Sequence, residues 1–347
     1  MPIFCDKNVI LPLSFIRLKP FGESAIKNKS GEHDKILLGS RRLERMKSTY
    51  SEDDITSFLT KKYGELIILN PVVEGQESQV FSFRHNDADF IFRIHPNIEG
   101  FRKDDYVHRS FSSQKIPIPK IVEYGDFNES HAFCISEKAK GITFQDADEQ
   151  TVETLLPDIM AVWAAIGEID ISKTKGYGIF SSKDGNAPHD SWKDFLLSIL
   201  DESKYDWEKI KKIKEVDSDL VEAIKESFLE LIQYCPEVRK LRHGDFGSNN
   251  VLVDQNVPAI TGIIDWDNAA YGDSFYDVNG FWRPWLMCME KTAVYWEQEF
   301  GHLPNYNERI KCYQLHTGLE EIYENALDGD MDTLNWCQKR CRQILLG

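Results

Sequence analysis

Between Leu241 and Asp265 the chain sets out acids, amides and a histidine at spacings suited to phosphoryl transfer. Leu241-Arg242-His243-Gly244-Asp245-Phe246-Gly247-Ser248-Asn249-Asn250 runs into two apolar stretches, Val251–Val253 and Ile260–Ile264. Asp254-Gln255-Asn256-Val257-Pro258 separates them, which is the pattern of an antiparallel hairpin. Pairing Val251 with Ile264 places Asn250 opposite Asp265 at the open end, where partners lie about 4.5–5.5 Å apart at Cα. Asp245 sits on the loop feeding that end. Two carboxylates and a carboxamide brought together are the oxygen ligands that a hard cation such as Mg²⁺ takes. Phosphoryl transfer to a hydroxyl needs one carboxylate to orient the hydroxyl and accept its proton, and an Asn and a second Asp to hold Mg²⁺ on the phosphates. Asp245 is read as the base, and Asn250 and Asp265 as the metal ligands. The same Gly, Asp and Asn residues would suit a surface turn, but a turn does not require the hairpin that returns Asp265.

The elements that must position these groups are legible in part. Ser51-Glu52-Asp53-Asp54 predicts a helix N-terminus, with an N-cap and acids in the first turn, and Gly64 its stop. Strands are expected over Leu66–Val73, Ser78–Phe83 and Ile91–Ile94, with a tight loop at Glu74–Glu77. A helix over Glu99–Ser113 precedes Pro117 and Pro119, and strands Ile121–Tyr124 and His131–Ser136 lead to the connector Glu137-Lys138-Ala139-Lys140-Gly141. Beyond it, apolar residues recur at helical spacing over 152–169, 191–200, 217–234, 293–298, 308–327 and 333–346. Pro284 would open a helix whose first turn sets Trp282 and Trp285 on one face.

Composition narrows the classes. With 41 basic and 57 acidic residues the net charge is −16, which argues against a nucleic-acid or anionic-membrane surface and accords with a cationic small molecule or with nothing beyond solubility, the commoner reason for a surplus of acid. Seven cysteines without a Cys-x-x-Cys pair read as reduced, buried thiols of a cytosolic protein. No apolar run reaches the length of a membrane span, and no Gly-x-x-x-x-Gly-Lys-Ser/Thr run provides a Walker-type nucleotide loop. Residues 1–45 stand apart, with nine Lys/Arg against five Asp/Glu and a poor secretory-signal pattern. They are expected to be a dispensable, largely disordered extension.

His243-Gly244-Asp245-Phe246-Gly247-Ser248-Asn249-Asn250, Ile264-Asp265-Trp266 and Tyr271-Gly272-Asp273 resemble the aminoglycoside phosphotransferase family, relatives of the protein kinases. The likeness extends through Gly75-Gln76-Glu77-Ser78, Ile116-Pro117-Ile118-Pro119 and Phe281-Trp282-Arg283-Pro284-Trp285-Leu286, covering roughly residues 50–341. It implies an α+β, two-lobed kinase-like fold: a nucleotide-binding lobe over 46–138 with a small antiparallel sheet, and a larger, mainly helical catalytic lobe over 139–347. It implies ATP and Mg²⁺ as cofactors, with Gly75 and Ser78 in the loop over the phosphates. Arg93, in place of the usual Lys, would be the phosphate cation, with Asp104 its acidic partner (Asp105 the alternative), and the backbone of Glu137 and Ala139 would read the adenine edge. Asn249, Trp282, Trp285 and Glu290 would line the pocket of a cationic aminoglycoside, most closely hygromycin B, and Asp273 would brace the catalytic loop. The tryptophans could equally be core. A metabolite kinase on the same fold and a non-catalytic antibiotic-binding protein are the rival readings. The chain is expected to act as a cytoplasmic monomer, binding neither nucleic acid nor membrane.

Overall fold

The structure is a computed structural model that describes residues 50–65, 67–72, 78–283 and 287–347. Residues 1–45, the loop at 73–77 with Gly75, and Pro284, Trp285 and Leu286 lie outside the described residues.

The chain opens with α1 (Glu52–Tyr63). Ser51 Oγ accepts from the Asp54 amide while Asp54 returns a bond to the Ser51 amide, a capping box, and Gly64 ends the helix in the left-handed conformation. Strands β1 (Leu69–Pro71), β2 (Gln79–His85) and β3 (Ala88–His95) follow, then α2 (Ile98–Phe111), β4 (Ile121–Asp126) and β5 (Ala132–Glu137). The five strands form one antiparallel sheet in the order β1-β2-β3-β5-β4. Alternate residues Phe81, Phe83, Phe92, Ile94 and Ile135 face α1 and bury Ile55 and Leu59 beneath it. Thr261 Oγ1 donates to the Lys140 carbonyl at 2.5 Å, holding the connector after β5 against the hairpin of the second lobe. At Gly141 φ is +95°, and a Cβ would stand 1.9 Å from the Val253 carbonyl oxygen, so only glycine fits that crossing.

The second lobe begins with β6 (Ile142–Thr143), α3 (Glu149–Gly167) and β7 (Gly178–Ile179), and continues through α4 (Trp192–Leu197), α5 (Trp207–Ile210) and α6 (Ser218–Leu231). It then runs through β8 (Lys240–Arg242), β9 (Val251–Asp254), β10 (Ala259–Ile263) and β11 (Ala270–Gly272) to α7 (Met287–Phe300), α8 (Tyr306–Asp328) and α9 (Met331–Leu346). Two three-stranded sheets, β10-β9-β6 and β7-β11-β8, lie among the helices and carry the catalytic motif between them. A large continuous core holds Trp163, Trp192, Trp266, Trp296, Phe228 and Tyr313. The six cysteines among the described residues are buried and form no disulfide. No helix among the described residues is long and apolar enough to cross a membrane. This is the expected α+β, two-lobed kinase-like architecture.

One local expectation is corrected. The hairpin forms, but its turn closes at Asp254–Ala259, more tightly than a pairing of Val251 with Ile264 required; a bulge at Thr261 makes up one residue of the difference, and Val251 pairs with Ile263. Asn250 therefore faces Ile264, whose amide donates to the Asn250 carbonyl at 3.0 Å, and Asp265 lies one residue past the pairing. Trp282 lies in a turn and α7 is described from Met287 onward; the expectation that Trp282 and Trp285 share a helical face falls on Trp285, outside the described residues.

Candidate active site

His243 orders the catalytic loop. It is fully buried, its Nδ1 accepts from the Asp245 amide at 3.2 Å and its Nε2 meets the Ile264 carbonyl at 3.0 Å. Those partners require the neutral ring with the proton on Nε2. Burial pushes the His243 pKa down to about 4, against the pull of Asp277. One imidazole thus ties the start of the loop to the residue preceding Asp265. Gly244 provides the bend: φ is +91°, and a Cβ would meet the Asn268 carbonyl oxygen at 1.9 Å.

Asp245 is oriented from the far end of the same loop. Asn250 Nδ2 donates to Asp245 Oδ2 at 2.8 Å and to the Asp245 carbonyl at 2.9 Å, and Asn249 Nδ2 donates to Asn250 Oδ1 at 3.2 Å. The Asn250 amide group therefore turns its nitrogen to Asp245 and leaves its oxygen on the opposite side.

Asp265 takes a left-handed backbone, with φ of +68°, uncommon for a residue with a side chain. Asp265 keeps an exposed surface, yet desolvation by the surrounding protein, then Asp267 and Asp104, raise its pKa to about 8, with Arg93 opposing. An acid crowded by other acids is disfavoured as an anion until a cation joins it. Among the described residues no set of three His, Cys, Asp or Glu side chains forms a ready metal cage. A Mg²⁺ site completed by phosphate oxygens needs only one or two carboxylates, and Asp265 with the Asn250 oxygen fits that donor set.

Helix α2 brings the first lobe to this loop. Arg93 Nη2 on β3 donates to Asp104 Oδ2 at 2.5 Å, and Asp104 Oδ1 accepts from the Trp266 amide at 2.9 Å. Asp105 instead pairs with Arg109 at 2.9 Å, which decides between the two candidate acids. Asp104 is thus a bridge between the strand cation and the residue after Asp265.

The expected brace is misassigned by the sequence reading. Asp273 binds Arg309 in a two-pronged pair, accepts from Tyr313 Oη at 2.5 Å and caps the Phe275 amide at 3.1 Å. Its place under the catalytic loop is taken by Asp277, whose Oδ2 accepts from the His243 amide at 2.8 Å and the Gly244 amide at 3.2 Å, and whose Oδ1 accepts from Arg242 Nε at 3.0 Å. Both partners of the Arg242–Asp277 pair are buried, and the guanidinium lies over Tyr276 with its carbon 4.2 Å from the ring centre. The signal was present: an acid four residues from Asp273, within the largely apolar run Ser274 to Trp282, must find partners if buried.

Hydrogen bonds gather Asp245, Asn249, Asn250, Arg93 and Asp104 around the Asp265 loop. The other described candidates are placed as follows. Ser78 directly precedes β2, while Glu137 ends β5 with its amide bonded to the Lys120 carbonyl at 2.9 Å. Ala139 lies against Gly262 of the hairpin, where an added Cβ would be 3.0 Å from the alanine methyl. Trp282 is half-buried, with its ring stacked on Trp336 of α9 at 4.8 Å. Glu290 is exposed in the first turn of α7, a helix tied to α3 by Lys291 with Glu149 at 2.7 Å and Glu153 at 3.0 Å.

The model of the phosphotransferase enzyme family matches residues 68–307. The hygromycin-B 4-O-kinase of Escherichia coli is 38% identical over 293 residues, 84% of either chain. The crystal structure of the aminoglycoside phosphotransferase APH(4)-Ia superposes with a TM-score of 0.79 at 37% identity, covering 85% of this chain and 98% of that one. A thermostable form of that enzyme, in a ternary complex with AMP-PNP and hygromycin B, gives a TM-score of 0.78 at 37% identity over 84% of this chain and 98% of that one. An aminoglycoside 2'-phosphotransferase at 15% identity shares the fold, with a TM-score of 0.65. With the motif, the fold and these relatives in agreement, the chain belongs to the phosphotransferase enzyme family.

Proposed function

We propose that the protein transfers the γ-phosphoryl group of ATP to a hydroxyl of an aminoglycoside antibiotic, with hygromycin B as the acceptor. The observation that carries this reading is the Asp245 carboxylate, fixed by Asn250 close to Asp265, an acid crowded by Asp104 and Asp267 whose charge calls for a cation. Asp245 orients the acceptor hydroxyl and takes its proton. Asn250, through its oxygen, and Asp265 are the residues that would hold Mg²⁺, which when bound neutralises phosphate charge. Arg93, kept charged by Asp104 despite its burial, is the cation for the α- and β-phosphates. Gly75 and Ser78 are assigned to the loop over those phosphates, and the Glu137 and Ala139 backbone to the adenine edge. Asn249, Trp282, Trp285 and Glu290 are assigned to the acceptor pocket. The side chain stacked on Trp336 leaves at most one face of Trp282 for a sugar ring. Little covalent chemistry falls to the protein, since positioning and charge lower most of the barrier.

Residues 46–138 are taken as the nucleotide lobe and 139–347 as the catalytic lobe. The protein is read as a cytoplasmic monomer, in keeping with the buried cysteines, none in a disulfide, among the described residues.

The test is Mg²⁺-dependent ATP turnover with hygromycin B, with kanamycin and without acceptor. Turnover is expected with hygromycin B, and an Asp245→Ala chain should bind nucleotide but lose most of it. Turnover with neither antibiotic, in a chain that binds Mg·ATP, would move the acceptor to a small cellular alcohol. Antibiotic binding without ATP consumption would replace the enzyme by a binding protein.

A further inference from the structure

Lys103 of α2 is almost fully buried, an unusual place for an ammonium group. Its Nζ donates to the Asp267 carbonyl at 2.6 Å and lies over the Phe180 ring, 4.8 Å from the centre. The contact is close along the whole helix face: a Cβ added at Gly100 would stand 3.3 Å from the Asp267 Cβ. The next residue, Asp104, accepts from the Trp266 amide at 2.9 Å. Two successive residues of one helix therefore hold two successive residues of the loop that carries Asp265, one by its N–H and the other by its C=O.

The geometry points to Lys103 as a positioning residue for the metal-holding acid: its bond to the Asp267 carbonyl fixes Asp265 in its left-handed conformation and with it the direction of its carboxylate. This rests on the role given to Asp265 under Proposed function. A left-handed backbone at a residue with a side chain costs on the order of 1–3 kcal/mol and persists only where its surroundings over-determine it. Asp104 secures the loop one residue past Asp265 and Lys103 two residues past it, so the peptide planes following Asp265 cannot swing. Phe180, stacked at 4.7 Å on Tyr271 of β11, backs the ammonium from the second lobe. Lys103 thus fastens α2, an element of the first lobe, to the frame of the metal loop.

The test compares wild type with Lys103→Met and Lys103→Gln, which remove the bond by apolar and by polar replacement, so that one folded chain suffices. Lys103→Arg retains a donor. Two readouts are taken: the Mg²⁺ concentration for half-maximal turnover with hygromycin B, and the rise in thermal midpoint that Mg²⁺ adds in the presence of ADP. In the Met or Gln chain the half-activating Mg²⁺ concentration should rise about tenfold and kcat fall by a similar factor, as expected for a displaced catalytic group. The Mg²⁺-dependent thermal rise should shrink, while the acceptor KM stays within about twofold, because only the metal loop is released. The Arg chain should recover most of both losses, which a role in packing alone would not predict. A folded Met or Gln chain with wild-type Mg²⁺ activation and thermal rise would overturn the inference. Absence of Mg²⁺-dependent turnover in the wild type would instead overturn the proposed function.

Discussion

At the scale of single residues, the buried polar groups around the catalytic loop do more than their sequence neighbourhood suggests. Asp277 neutralises Arg242 and accepts from two loop amides at once. Asp277→Asn removes the only negative charge hydrogen-bonded to the buried Arg242 among the described contacts, and uncompensating a buried pair costs about 3–5 kcal/mol. Urea unfolding should report that loss together with reduced turnover, and a change below about 1 kcal/mol would contradict the brace. His243 makes a pH-dependent contribution. Its folded pKa of about 4 lies below the ordinary 6.5, so between those values the unfolded chain binds the proton and the native chain does not. Its full contribution is present above about pH 6.5 and is lost as pH falls toward 4, amounting to about 3 kcal/mol. Urea midpoints measured from pH 7 to 4.5 should fall for wild type by more than for His243→Gln, which lacks the titrating ring.

At the scale of elements, α2 is the part whose face matters most. Glu99, Lys103 and Asp104 share its inward side: Glu99 accepts from the Ser182 amide at 3.1 Å and hydroxyl at 2.6 Å, and the other two hold the Asp265 loop. Spacings of four and five place these residues on a face that also buries Val107 and Phe111. A lysine and an acid on an otherwise apolar helical face were therefore a readable signal that each has a partner elsewhere. The crossing between connector and hairpin depends on one glycine. Gly141→Ala should destabilise the fold by on the order of 2 kcal/mol or more, since the methyl meets the Val253 carbonyl and φ is positive. Thermal unfolding checks this, and an unchanged midpoint would mean that the connector can move aside.

At the scale of the whole molecule, the charge of −16 becomes a kinetic statement once the acceptor is a polyamine. An acidic protein attracts a cationic ligand over distances that salt screens, the Debye length being about 30 Å at 0.01 M and about 8 Å at 0.15 M. Raising NaCl across that range should lower kcat/KM for hygromycin B several-fold and leave kcat nearly unchanged. Equal loss in both parameters would place the salt effect on the chemistry instead.

The sequence by itself determined the reaction class. Asp245, Asn250 and Asp265 are close along the chain and joined by a hairpin, so local pairing rules suffice to gather them, even with the register one residue off. Helix caps at Ser51 and Gly64 were equally legible, because capping is a contact between near neighbours. Only the tertiary structure decided which acid does which work. Asp273 and Asp277 differ in sequence by one turn of chain, yet one holds α8 and the other the catalytic loop. Arg93 could have paired with Asp104 or Asp105 until the helix was set on the sheet. Lys103 meets a carbonyl 164 residues away, a contact that no local pattern encodes. The division follows from range: short-range geometry is fixed by the backbone dihedrals of a few residues, whereas the partner of a buried charge is chosen by the packing of the whole core.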